Sequence, residues 1–126
     1  MENYNQWLSK ASDDIKWAFS SLEGEVFYGV CFASQQAVEK ALKAFLIFHG
    51  RKLRKIHDLR ALLEECSQID ENMKQIWDQV IELNPYYIET RYPSFDDDMF
   101  TKEKAEEAYK QAKHVLEFVK QKLSTI

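Results

Sequence analysis

The sequence predicts an all-α domain, an antiparallel up-and-down helical bundle of four long helices and a short one, and three observations carry that prediction. Apolar residues recur every three or four positions through most of the chain, the repeat that lines up one face of a helix. No run reads as a strand. The 126 residues include 3 Gly and 2 Pro, too few for a turn-rich β-sandwich, and 45% are hydrophobic against 30% charged, which argues against disorder. At this length there is room for one core and not two, so residues 1–126 are read as a single helical domain.

Each element follows from its own pattern. Trp7, Leu8, Ala11, Ile15, Ala18, Phe19 and Leu22 have helical spacing, giving a first helix over 5–22 with Glu23-Gly24 as its stop. From Glu25 to His49 the pattern is strongest. Val30, Ala33, Ala37, Ala41, Ala44 and Phe48 form a flat line that lets another helix approach closely, and Phe27, Val38, Leu42, Phe45 and Leu46 widen the apolar arc, so this second helix belongs at the centre of the bundle. Gly50 ends it. Asp58 is a cap for a short third helix carrying Leu59, Leu62, Leu63 and Cys66, and Asp70 a cap for a fourth with Met73, Ile76, Trp77, Val80 and Ile81, running to Asn84-Pro85. Thr101 caps the last helix, whose core line is Ala105, Ala108, Ala112, Val115, Val119 and Leu123. Two long connections remain, residues 50 to 57 and 85 to 100. Loops on a rigid scaffold are where function concentrates.

Composition excludes several classes of function. A formal charge of −4 and a pI near 5.4 do not suit a protein that coats nucleic acid, yet Arg51-Lys52-Leu53-Arg54-Lys55-Ile56-His57-Asp58-Leu59-Arg60 is a local basic patch. No run approaches the length of a membrane span and the N-terminus lacks a secretory layout, so a cytoplasmic protein with no membrane partner is expected. Cys31 and Cys66 lie far apart within apolar patterns and read as reduced core residues. P-loop, Rossmann, zinc-peptidase and nucleophile-elbow motifs are absent, and no cofactor or metal is expected.

Four constellations invite a chemical reading. Glu39 interrupts the apolar arc of the second helix and Gln36, Lys40 and Lys43 form a polar strip beside it; either a lysine meets a phosphate while Glu39 orders a neighbour, or the strip is solvated and Glu39 is paired structurally. His57, with Arg51 upstream, would supply a proton carrier and a fixed cation, the two parts needed for a ribose hydroxyl to attack a phosphate without metal; the alternative is a loop histidine beside solvated cations. Arg91, between Tyr86-Tyr87 and Tyr92-Pro93, combines a phosphate donor with rings able to stack on a base, or else ties its loop to Glu39 or a helix end. Asp96, Asp97 and Asp98 have no calcium-loop spacing and read as negative charge ahead of a helix N-terminus.

Gln35-Gln36-Ala37-Val38-Glu39-Lys40-Ala41-Leu42-Lys43-Ala44, then His57-Asp58-Leu59, then Arg91-Tyr92-Pro93, in that order and spacing, resemble the HEPN domain family over almost the whole chain. The resemblance implies a bundle that dimerises, binds nucleotides or RNA, and works beside a small nucleotidyltransferase of the MNT type in toxin–antitoxin-like pairs. It implies nucleotide-binding roles for Lys40, Lys43, His57 and Arg91, with Tyr87 or Tyr92 stacking on the base. Some members of the wider family are metal-independent endoribonucleases with an Arg followed after four to six residues by a His. Arg51 and His57 satisfy that spacing, but on the loop after the second helix rather than on a later helix, and with Lys52 where a polar residue usually stands. A pure protein-interaction module is the third reading.

Overall fold

The computed structural model describes residues 3–93 and 99–124. Helix α1 (Tyr4–Glu23) opens where the Asn3 side chain accepts the Asn5 backbone N–H at 2.8 Å, and α2 (Phe27–Phe48) follows after a tight reversal. The left-handed residue of that reversal is Glu25 (φ 62°), and Gly24 keeps a helical φ of −80°. Val26 N–H reaches Ser21 C=O and Glu25 N–H reaches Leu22 C=O, the paired bonds that close a helix when the residue after its cap turns left-handed. The second helix therefore begins two residues later than its apolar pattern suggests. Gly50, at φ 77°, closes the end of α2 by the same pair of bonds, Arg51 N–H to Leu46 C=O and Gly50 N–H to Ile47 C=O.

Helix α3 (Leu59–Ile69) is capped by Asp58, which accepts from Arg60 and Ala61 N–H. The expected long fourth helix is instead two pieces, a 3-10 segment Glu71–Ile76 and a short α4 (Trp77–Leu83). Met73 and Ile76 are both fully buried and three residues apart, a spacing that three residues per turn brings onto one line. Pro85 then breaks the chain's helical course because it has no N–H to return to Ile81, but its φ of −63° also starts a single helical turn, α5 (Tyr86–Glu89), within what reads from sequence as loop. Thr101 Oγ1 accepts Lys104 N–H and opens α6 (Lys102–Ser124). The described residues thus hold three long helices rather than four, and the class stands: all-α, with no strand among the described residues.

Helix α2 is the axis. It packs against α1 on one side and α6 on another, with α3 and α4 closing the remainder, and its alanine line (Ala33, Ala37, Ala41, Ala44) has no exposure. The expected core line of α6 is buried along its length. Burial raises both thiols, that of Cys31 to about 11, which makes them inert apolar groups. No helix among the described residues is long and apolar enough to cross a membrane.

Candidate functional site

Four buried or half-buried polar side chains of α2 form the floor of the site. Glu39, 4% exposed, accepts from Lys43 Nζ at 3.0 Å on one oxygen and meets His57 Nδ1 at 2.9 Å on the other. An ionised carboxylate only accepts, so Nδ1 carries the proton of that bond and Nε2 is the nitrogen left to a ligand. Gln35, fully buried, donates from Nε2 to the His57 carbonyl at 3.2 Å and takes a 2.7 Å bond from Gln36. The histidine is therefore held from α2 at both its ring and its backbone while its side chain stays 46% exposed.

The second connection reaches the same place. Tyr87 of α5 stacks on the His57 ring at 3.9 Å and 15°, and the Arg91 guanidinium lies over Tyr87 with Cζ 4.7 Å from the ring centre. A ring stacked that closely fills one face of the tyrosine, which leaves Arg91 the other. The juxtaposition is fixed by Asn84, whose Oδ1 accepts Leu59 N–H at 2.8 Å and whose Nδ2 donates to Asp58 Oδ1 at 3.1 Å. That clip joins the residue after His57 to the residue before Pro85-Tyr86-Tyr87. Phe32 of α2 extends the aromatic run, 6.3 Å from Tyr87 and 6.3 Å from Trp17 of α1.

Charge is distributed unevenly over these groups. Lys43 is balanced by Glu39 and also lies 5.7 Å from the centre of the Trp7 ring. Lys40 pairs with Asp14 of α1 at 2.5 Å; burial raises the Asp14 carboxyl above its usual 3.8, and Lys40 offsets part of that rise. Arg51 and Arg54 both bond Glu65 of α3 at 3.2 Å, so Arg51 shares no partner with His57. Arg91 has no carboxylate partner among the described residues and is exposed. It is the cation of the cluster that is still available to an anion.

Of the residues singled out from sequence, His57, Tyr87 and Arg91 meet directly, and Lys43 joins them through Glu39. Lys40 stands one residue beyond Glu39, committed to Asp14, and Tyr92 is exposed beside Arg91. Asp96, Asp97 and Asp98 lie outside the described residues; among those described, no group of three His, Cys, Asp or Glu side chains is placed to hold a metal ion. Sequence reasoning passed over Asp14, Phe32 and the anchoring role of Gln35. Asp14 was readable, since it falls on the Ala11–Ala18 buried line of α1 and so needed a cation opposite.

The profile of the family described as HEPN domain matches residues 4–122. The chain is 29% identical over 128 aligned positions, covering 90% of it and 84% of the relative, to a Methanocaldococcus jannaschii protein named "Putative toxin MJ1304". It is similar to the crystal structure of TT1696 from Thermus thermophilus, with a TM-score of 0.88 and 31% identity over 97% of this chain and 99% of that one. It is also similar to the crystal structure of ST0689, described as an archaeal HEPN homologue, with a TM-score of 0.79 and 27% identity over 97% and 98% of the two chains. A profile match over nearly the full length, together with two solved chains that share the fold end to end, leads to one conclusion: the protein belongs to the HEPN family.

Proposed function

We propose that this is a toxin-like HEPN protein that binds a nucleotide or an RNA phosphate in the cleft of His57, Tyr87 and Arg91, as a homodimer acting with a small MNT-type nucleotidyltransferase. The observation that carries the proposal is the convergence of two separate connections on one ring: His57 on one face of Tyr87, and a cation without a carboxylate partner, Arg91, over the other. Arg91 neutralises the phosphate and His57 Nε2 bonds a phosphate or ribose oxygen, while Lys40 and Lys43, each paired with a carboxylate, shape the floor beneath them. The relative named as a toxin supports the toxin-like part of the reading. Calorimetry with mono-, di- and trinucleotides and short RNA tests it: binding heat is expected, and Arg91→Ala is expected to weaken it at least tenfold. Absence of heat, or heat indifferent to Arg91→Ala, overturns it. The partner is tested separately by co-expression with a neighbouring small nucleotidyltransferase.

One observation favours a second reading, metal-independent RNA cleavage. The Glu39–His57 bond orients a histidine with its other nitrogen turned away from the carboxylate, the arrangement that lets Nε2 take the proton of a ribose 2′-hydroxyl as its oxygen attacks the adjacent phosphate. The P–O5′ bond breaks, the leaving 5′-oxygen takes a proton from water, and a 2′,3′-cyclic phosphate remains. Arg51, tied to Glu65, would have to leave that carboxylate to act as the phosphate's cation. Purified protein incubated with RNA in EDTA decides it: RNA that stays intact, or cleavage unchanged in His57→Ala, removes this reading.

A further inference from the structure

If the cleft takes a phosphate, Tyr87 cannot easily take the base attached to it. His57 stacks on one of its faces at 3.9 Å and Arg91 covers the other, so stacking there would first require displacing a group that the phosphate itself uses. Aromatic surface is nevertheless available next door. On the side of Arg91 toward α1 a groove of about 230 Å³ runs between the end of α1, the start of α2 and α5, walled by Trp17, Val26, Tyr28, Phe32, Thr90 and Arg91. Trp17 and Tyr28 are 52% and 49% exposed, although large apolar side chains at such positions are ordinarily turned into the protein. The volume falls below the roughly 300 to 1,000 Å³ that encloses a drug-sized ligand, and suits one flat ring system.

We propose that this groove is a nucleobase subsite: a base of single-stranded RNA inserts against Trp17 and Tyr28 while Arg91, at the lip, holds the phosphate that joins it to the nucleotide over His57. The inference rests on the phosphate-binding reading above. Charge complementarity selects this occupant over an apolar protein segment, since the groove's rim carries a guanidinium with no carboxylate partner among the described residues. Thr90 donates its hydroxyl proton to the Tyr86 carbonyl, so toward a base it can only accept. Ser21 is the other small hydroxyl in the lining, so two small hydroxyls stand against three aromatic rings and stacking dominates.

The test compares a short oligoadenylate with an abasic ribose-phosphate oligomer of the same length, by calorimetry, on the full chain. The wild type is expected to prefer the oligoadenylate. Trp17→Ala and Tyr28→Ala should each weaken oligoadenylate about tenfold, leave the abasic oligomer unchanged, and melt as the wild type does; Trp17→Phe should keep most of the affinity. Arg91→Ala should weaken both oligomers. If Trp17→Ala and Tyr28→Ala bind oligoadenylate like the wild type while Arg91→Ala does not, the groove proposal falls and the phosphate reading stands. If neither oligomer binds the wild type, both fall. If Trp17→Ala changes the sedimenting mass of the protein but not its affinity, the groove belongs to a second copy of the chain and the base subsite is wrong.

Discussion

Glu39 shows how a single side chain holds the site together. Its two oxygens serve two masters, Lys43 within the same helix and His57 eighteen residues on in sequence, and it is almost wholly withdrawn from water while doing so. Glu39→Ala should cost about 3 to 5 kcal/mol in urea unfolding at neutral pH, because Lys43 is left as an uncompensated charge at 5% exposure. Replacing both with methionine should restore most of that stability without restoring the orientation of His57. A Glu39→Ala protein as stable as the wild type would show that Lys43 escapes to solvent and that the pair does not hold the floor. That Glu39 needs a partner is legible in the chain, since a carboxylate stands inside an apolar arc. Lys43, four residues on along the same helix, is a partner the spacing allows. His57 is not legible, because residue 57 meets residue 39 only once the connection folds back over α2.

At the level of elements, the short pieces matter more than the long ones. The long helices follow their apolar periods, but the position of His57 against Tyr87 is set by Asn84, which bonds across from the end of α4 to the start of α3. Asn84→Ala removes both hydrogen bonds and should destabilise the protein by roughly 1 to 2 kcal/mol. It should also loosen the imidazole–phenol stack, and the His57 ring-proton chemical shifts should move toward those of a free histidine as the tyrosine ring current is lost. Unmoved shifts in a destabilised variant would mean that Gln35 and Glu39 suffice to hold the histidine. The 3-10 segment and the single turn of α5 escape a reading by helical period, since six and four residues are too short for 3.6-residue periodicity to differ from its neighbours. Asn84-Pro85 reads as a break; that the break also starts the turn carrying Tyr87 is a consequence of the proline's fixed φ.

Across the whole molecule, α6 is closed onto the rest by polar ties near its end. Lys122 donates to Asp70 at 2.8 Å and Lys120 to Ser12 at 2.9 Å, so the last turns of α6 are joined both to the 3-10 segment and to α1. The hydrogen bond from Lys122, above all, holds the Asp70 carboxyl below its usual 3.8, with the Asn72 N–H adding to it. A carboxyl whose folded value is lowered stabilises the protein above its unfolded value, and that stability is lost as pH falls through the folded one. Asp70→Ala also removes the cap on the 3-10 segment and should lower stability by about 1 kcal/mol near neutral pH, a few degrees in melting temperature. The gap between wild type and variant should close as the pH is taken below 3.8. A gap that is constant with pH would show that Asp70 acts as a neutral cap and not as the anion that holds α6.

The amino-acid sequence by itself determined the class, the central place of α2, the caps at Asp58, Asp70 and Thr101, and the residue types that seek an anion. All of these depend on neighbours a few positions away, where spacing along the chain is also spacing in space. Only the tertiary structure decided which of those cations remain available. Lys40, Lys43 and Arg51 each found a carboxylate on α1, α2 or α3, and Arg91 found the face of a tyrosine instead. Of these, only the Lys43–Glu39 pair is local, four residues apart on α2. The pairings of Lys40, Arg51 and Arg91 are settled by distances between elements far apart in the chain, which neither composition nor period carries.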